Sequence, residues 1–179
     1  MATLVLTVIG DDRAGLVDAL AGPIADNGGN WDRSHMARLA GKFAGIVVVT
    51  LPDGNVESLG ASLEGVQALG LLDVRIAIAA ADGPVDAAPL LHLHLVGQDR
   101  PGIIREIASA LAQREISIEE LETSTISAPM SAEQLFEATA SLRLPVGADL
   151  EALQSALEDI ANELMVDLDV RPLPHPERG

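Results

Sequence analysis

The stretch Val8–Asn30, VIGDDRAGLVDALAGPIADNGGN, returns in altered form as Val96–Ser117, VGQDRPGIIREIASALAQREIS. The two stretches align without a gap at an offset of 87 residues (97 − 10), which places Gly15 on Gly102. After each of these glycines, apolar residues recur at the spacings of three and four that mark one buried face of a helix. Each stretch therefore predicts the end of a strand, a turn that closes on glycine, and an amphipathic helix.

The repeat extends beyond this motif. Leu51-Pro52 returns as Leu144-Pro145 at an offset of 93 (144 − 51), so the second copy carries a net six extra residues (93 − 87), which we place in the hairpin around 127–134. Each copy reads as strand, helix, two strands, helix and strand. For the first copy we predict these elements at Thr3–Ile9, Ala14–Asn27, Asn30–Leu39, Phe43–Leu51, Val56–Leu69 and Leu72–Ala79.

This order predicts an α+β protein made of two tandem βαββαβ, ferredoxin-like domains. Each domain would be an antiparallel four-stranded sheet with two helices on one face. The domains are expected at residues 1–80 and 90–172, with a Pro- and Gly-containing linker at 81–89 and a disordered tail at 173–179. Asn55 and Asp149 are the expected N-caps of the second helix in each copy.

Charge and composition narrow the function. Asp and Glu number 27 against 11 Lys and Arg, a formal net charge of −16, so direct nucleic-acid binding and adsorption to an anionic membrane are both disfavoured. There is no cysteine, and the first residues carry neither a secretory signal nor a membrane span. We expect a cytoplasmic protein, and any control of genes would act through another protein.

The turns GDDRAGL and GQDRPGI, the strand openings GGNW and EISI, and the two-domain layout resemble a pair of ACT domains. Within that group they resemble the glycine cleavage system transcriptional repressor family. The resemblance implies a non-catalytic regulator without a cofactor that binds a small amino acid, glycine in the repressor family. It also implies a protein partner such as a DNA-binding activator, and exposed sheet edges allow a homodimer.

In ACT domains the ligand typically lies near the turn between the first strand and first helix. Free N–H groups at a helix N-terminus suit a carboxylate, glycine lets a ligand approach the backbone, and Asp and Arg suit the two charges of a zwitterion. The alternative is that the aspartates cap the helix and the arginines are solvated. The candidate ligand-binding residues are Asp11, Asp12, Arg13, Ala14, Gly15, Leu16 and Asn30, and in the second copy Gln98, Asp99, Arg100, Pro101, Gly102 and Ile103.

Residues outside the turns have simpler interpretations. His92 and His94 share one strand face at a spacing that metals sometimes use, but we expect outer-face residues and no metal site. Trp31 is expected to fill the edge of the core, and Met130 to lie on a loop. Two other functions stay open: a regulatory relative of formyltetrahydrofolate deformylase without its catalytic domain, and a ligand-free ACT pairing module.

Overall fold

The computed structural model describes residues 1–79, 90–127 and 134–172. The chain divides into two compact units, Met1–Pro84 and Val85–Gly179. The predicted linker at 81–89, the predicted tail at 173–179 and Met130 lie outside the described residues.

The first unit is one sheet covered by two helices. Its four strands lie in the order β2-β3-β1-β4, and β1 pairs antiparallel with both β3 and β4. In chain order the elements are β1 (Ala2–Asp11), α1 (Leu16–Asp26), β2 (Asn30–Leu39), β3 (Lys42–Leu51), α2 (Val56–Ala68) and β4 (Asp73–Ile78), with a short 3-10 turn (Asp53–Asn55) before α2.

The second unit repeats this architecture. Its strand order is β6-β7-β5-β8, again with antiparallel pairing throughout. The elements are β5 (Leu90–Gln98), α3 (Ile103–Ala112), β6 (Ser117–Ser127), β7 (Gln134–Arg143), α4 (Leu150–Leu164) and β8 (Val166–Pro172). The predicted fold class and the βαββαβ order are confirmed in both units.

Each unit has its own aliphatic core between its sheet and its helices. In the first unit Leu4 and Leu6 of β1 are fully buried in one cluster with Leu20 of α1 and Leu63 of α2. Both helices therefore cover the same face of the sheet. Trp31 is half-buried against this cluster, in keeping with the predicted place at the edge of the core.

The predicted helix caps have different outcomes. Asp149 accepts a hydrogen bond from the Glu151 N–H at 3.0 Å and so caps α4. Asn55 stands at the N-cap of α2 but forms no side-chain cap, because its amide donates to the Asn27 carbonyl at 2.9 Å. Asn55 thus holds the predicted N-cap position, and its side chain ties the end of α1 to the start of α2.

Candidate ligand site at the two strand–helix turns

The two turns share a backbone conformation that favours glycine. Gly15 and Gly102 are the N-caps of α1 and α3, and both have φ near +90°, in the left-handed region. Neither helix has a side-chain cap, and a Cβ at either glycine would meet no atom within 4 Å. Each turn thus exposes a helix N-terminus that no side chain caps, which excludes capping as the role of the aspartates.

The charged residues of the first turn are held by neighbouring strands. Asp11 forms an ion pair with Lys42, and Asp12 forms one with Arg38 at 2.6 Å. Both cations come from the β2–β3 hairpin, because β1 pairs with β3 and Asp11 lies opposite Lys42. The hydrogen bond and charge of Lys42 lower the pKa of Asp11, which keeps its carboxyl group ionised.

Arg13 has a different environment from the aspartates. Its guanidinium Nη2 donates to the Gly70 carbonyl at 2.5 Å, at the end of α2. This partner is neutral, and an arginine has five N–H donors, so most of its donors and its full charge remain for an anion. The hydrogen bond fixes the direction of the side chain without neutralising it.

A small cavity lies beside this turn. Its volume is about 340 Å³, near the lower end of the range for small-molecule sites, about 300–1,000 Å³. The candidates Asp12, Arg13, Gly15 and Leu16 line it, together with Val17, Asp18 and Phe43, which we had not singled out from the sequence. Phe43 could have been found, because the antiparallel pairing of β1 with β3 places it opposite Gly10.

Asn30 does not join the other candidates within its own unit. It pairs with Thr50, and Thr50 pairs with Thr3 at the beginning of β1. Asp11 lies eight residues farther along β1, about 26 Å at ~3.3 Å per residue. The physical reason is that α1 carries the chain back along the sheet before β2 begins, so Asn30 lies at the opposite end.

The second turn distributes its candidates over separate surfaces. Arg100, Pro101 and Gly102 line one groove of about 800 Å³, whereas Gln98 lines another cavity of about 440 Å³. The backbone N–H of Asp99 donates to the Gln134 carbonyl at 3.0 Å. Gln98 therefore does not share a cavity with the helix N-terminus that follows it.

Arg100 differs from Arg13 in having a carboxylate partner. It donates two hydrogen bonds to Glu106, at 2.8 and 2.5 Å, and this contact lowers the pKa of Glu106. The position equivalent to Glu106 in the first copy is Ala19 (106 − 87), which cannot pair. Within the described ranges, no carboxylate therefore contacts Arg13 of the first turn, whereas Glu106 neutralises Arg100 of the second.

The remaining candidates contribute little side-chain surface to a ligand site, either because they are buried or because they do not line the cavity. Leu16 and Ile103 are 3% and 4% exposed and pack in the two cores, so their contribution to a turn site would come from the main chain. Ala14 is exposed in the first turn but is not among the residues that line its cavity.

The two histidines lie on the helix-free face of the second sheet. His94 Nε2 is 2.9 Å from Glu137 Oε1, a partner that the sequence had not indicated because it lies 43 residues away. This hydrogen bond lowers the pKa of Glu137. Within the described ranges no group of three or more histidine, aspartate or glutamate side chains is arranged to hold a metal ion.

Comparison with protein families shows what the repeated unit is. Residues 2–76 and 90–171 each match the ACT domain, which accounts for most of the chain. The chain belongs to the ACT domain family. ACT domains typically bind small amino acids and regulate their partners, so this ACT protein carries two regulatory domains. No match was found among curated proteins.

Solved structures resemble the ACT protein over its whole length. A protein of unknown function from Galdieria sulphuraria has 28% sequence identity and a TM-score of 0.82, with 97% of this chain and 99% of that chain covered. A protein proposed to be a glycine cleavage system transcriptional repressor has 20% identity and a TM-score of 0.78, with 97% and 98% covered. The second likeness shows the shared fold.

The likeness to formyltetrahydrofolate deformylases is partial. The enzyme from Pseudomonas syringae pv. tomato has 24% identity, with 50% of this chain and 29% of that chain covered, and a TM-score of 0.40. As for membranes, none of the helices in the described parts of the ACT protein combines the length and apolarity needed to cross a bilayer.

Proposed function

We propose that the ACT protein is a non-catalytic sensor that binds a small amino acid such as glycine at its first turn and thereby controls a protein partner. The observation that carries this proposal is the cavity beside Gly15, which Arg13 and Asp12 both line. A cation and a carboxylate beside an uncapped helix N-terminus suit the two charges of an amino acid. The small cavity favours a ligand with a small side chain.

Specific contacts follow from the geometry. The ligand carboxylate would accept hydrogen bonds from the first-turn N–H groups of α1 and from the free donors of Arg13. The ligand ammonium would face Asp18, or would share the Asp12 carboxylate with Arg38; both aspartates line the cavity. Gly15 has no side chain in the way, since the space where a Cβ would lie is open. Asn30 takes no part in this proposed site.

The first copy is proposed as the principal amino-acid site. Arg100 of the second copy is held in a bidentate contact by Glu106, so binding a carboxylate there would require breaking or sharing that pair. Arg13 donates to a neutral carbonyl and contacts no such competitor in the part of the chain that the structure describes. The difference between the copies supports unequal affinity for the same ligand.

Calorimetric titration with glycine, and with serine in parallel, tests this proposal. We expect saturable binding that Arg13→Ala weakens about tenfold or more, because a charged hydrogen bond contributes about 1.5–3 kcal/mol. Arg100→Ala should leave the first site intact. Arg75→Ala, which removes an exposed cation from β4, is the matched control. Equal affinity in wild type and Arg13→Ala would show that the site is placed wrongly.

Control of a partner is the second half of the proposal. The acidic chain, at −16, is poorly suited to DNA and well suited to a basic surface on a DNA-binding protein. Regulation of glycine cleavage genes, which the resemblance to the repressor family implies, would make that partner a transcriptional activator. The affinity of the ACT protein for such an activator should differ severalfold with and without glycine. Glycine changes this affinity only if it binds the free and the activator-bound protein with different strength. No difference would contradict regulation by glycine.

The absence of catalysis is also part of the proposal. Residues 2–76 and 90–171 match the ACT domain, a regulatory domain, which supports a regulatory role. Pure protein is expected to give no turnover of formyltetrahydrofolate. Turnover that survives purification would overturn this part and favour a deformylase relative.

A further inference from the structure

The second unit has a groove that runs along α3. It has a volume of about 800 Å³ and begins at the second turn. From there it continues past Arg105 and Ser109 to Arg114, and the end of α4 contributes Glu163. This extent goes well beyond the turn, so the groove needs its own explanation.

The groove gathers positive charge in an acidic protein. Three of the chain's 11 cationic side chains line it, namely Arg100, Arg105 and Arg114. Two carboxylates, Glu106 and Glu163, also line it, which leaves the lining with a net positive charge against −16 for the whole chain. A local field of this sign attracts anions.

Two of the three guanidinium groups are not neutralised by a carboxylate. Glu106 holds Arg100. Arg105 is exposed and makes no hydrogen bond or ion pair within the described residues of the chain. Arg114 is half-buried and donates through Nη1 to the Ala110 carbonyl at 2.9 Å, which positions the group without cancelling its charge. Arg105 and Arg114 can therefore both bind an anion.

The first copy shows that the fold does not require these arginines. At the same offset of 87, Arg105 corresponds to Asp18 and Arg114 to Asn27. These two positions thus hold an acidic and a neutral side chain in the first domain and two arginines in the second. Since α1 folds without an arginine at either position, Arg105 and Arg114 have a role other than forming the helix.

We propose that this groove binds a small organic anion with at least two carboxylate or phosphate groups. Arg105 lies in the first turn of α3 and Arg114 follows its last residue, Ala112, so the helix between them is about 10 Å long at ~1.5 Å per residue. Long side chains can converge from that distance on a ligand with two separated anionic groups, whereas a single carboxylate would meet only one. Guanidinium groups bind both carboxylate and phosphate through paired N–H donors. The polar side chains of Ser109 and Gln113 supply further hydrogen bonds.

This site is independent of the proposed amino-acid site in the first unit. Its ligand class differs, because glycine has one carboxylate and an ammonium group that the arginines would repel. Its residues differ as well, since none of them lines the cavity beside Gly15. Loss of one site should leave the other unchanged.

Calorimetric titration of the full chain with pyrophosphate and with citrate tests the proposal, and the two probes separate phosphate from carboxylate ligands. We expect saturable binding of at least one of them, with an affinity that falls as NaCl is raised. The double variant Arg105→Asp, Arg114→Asn gives α3 the residues of α1 and should weaken binding by about tenfold or more. Arg75→Gln with Arg171→Gln removes two cations outside the groove and should change the affinity less than threefold.

Several outcomes would overturn the proposal. These are no binding of either probe at millimolar concentration, unchanged binding in the groove variant, or an equal loss in the control variant. Binding of a poly-glutamate peptide without binding of either probe would also overturn it, in favour of an acidic protein segment. If the double variant does not fold, Arg105→Gln alone replaces an exposed side chain and should still weaken binding. Glycine affinity should be the same in the wild type and in all groove variants.

Discussion

The two glycines of the repeated turn motif perform different tasks at the scale of single residues. A Cβ at Gly10 would lie 2.4 Å from the Leu71 carbonyl oxygen, so glycine there permits close packing of β1 against the start of β4. Gly15 faces open space but has φ +90°, so glycine there permits a left-handed N-cap. The sequence predicted a glycine turn and could not separate these causes, because Leu71 is 61 residues from Gly10 (71 − 10).

A pair of alanine substitutions tests the backbone argument. Gly15→Ala should destabilise the first unit by about 1–2 kcal/mol, the cost of a left-handed conformation for a residue with a Cβ. Gly22→Ala, inside α1 with no atom near its Cβ position, should instead stabilise it by about 0.5–1 kcal/mol. Urea unfolding of both variants gives the two free energies. Effects of the same sign would contradict the conformation assigned to Gly15.

At the scale of elements, the repeat predicted the helices and strands closely, whereas side-chain partners were mostly unpredictable. The β1–β3 pairing could have predicted the contact between Asp11 and Lys42, since both strands were recognised. The contact of Arg13 with Gly70 depends on how α2 ends, 57 residues later. The position of Asn30 could have been deduced from topology. Because β1 runs along the sheet and α1 runs back, β2 begins at the end of the sheet opposite the first turn.

Asn27 links the two helices of the first unit and is the buried polar residue there. Its amide donates to the Pro23 carbonyl at 2.8 Å, and Asn55 donates to its backbone carbonyl. Asn27→Ala should cost about 1–3 kcal/mol, because it removes the side-chain bond and leaves a cavity at a buried position. Chemical denaturation measures the loss. Asp26→Ala, one residue earlier and exposed, should change stability by less than about 0.5 kcal/mol.

The bulge of β6 places Glu119 against Arg143 of β7, and this pair predicts a pH dependence. The two hydrogen bonds, at 2.9 and 3.0 Å, lower the pKa of Glu119 from its ordinary value near 4.5. A lowered carboxyl pKa stabilises the fold above the unfolded value and loses this effect as the pH falls through the folded value. Glu119→Gln should therefore lower Tm at pH 7, with a difference from wild type that shrinks towards pH 3.

A control variant isolates the ion pair from net charge. Glu158→Gln removes the same charge from α4 and should show a small difference from wild type that does not follow the Glu119→Gln profile. Thermal unfolding at several pH values between 3 and 7 supplies both curves. A Glu119→Gln difference that is constant over this range would contradict a role for the ionised carboxylate.

At the scale of the whole molecule, duplication has preserved one fold and changed its charges. Both units keep the glycine N-cap and the aliphatic core, but Arg13 faces a carbonyl where Arg100 faces a carboxylate. On the helix that follows, Asp18 stands where the second copy has Arg105. This divergence supports a division of tasks between two ACT domains, one for an amino acid and one for a larger anion.

Thermal unfolding of the pure protein against a panel of amino acids, glycine and serine foremost, is the measurement that tests whether it is an amino-acid sensor. A ligand at a hundredfold its dissociation constant adds about 2.7 kcal/mol to the native state. At roughly 2–4 °C per kcal/mol this raises Tm by several degrees. We expect such a shift for one small amino acid and its loss in Arg13→Ala. No shift for any amino acid would contradict the sensor and leave a ligand-free pairing module as the interpretation of the two domains.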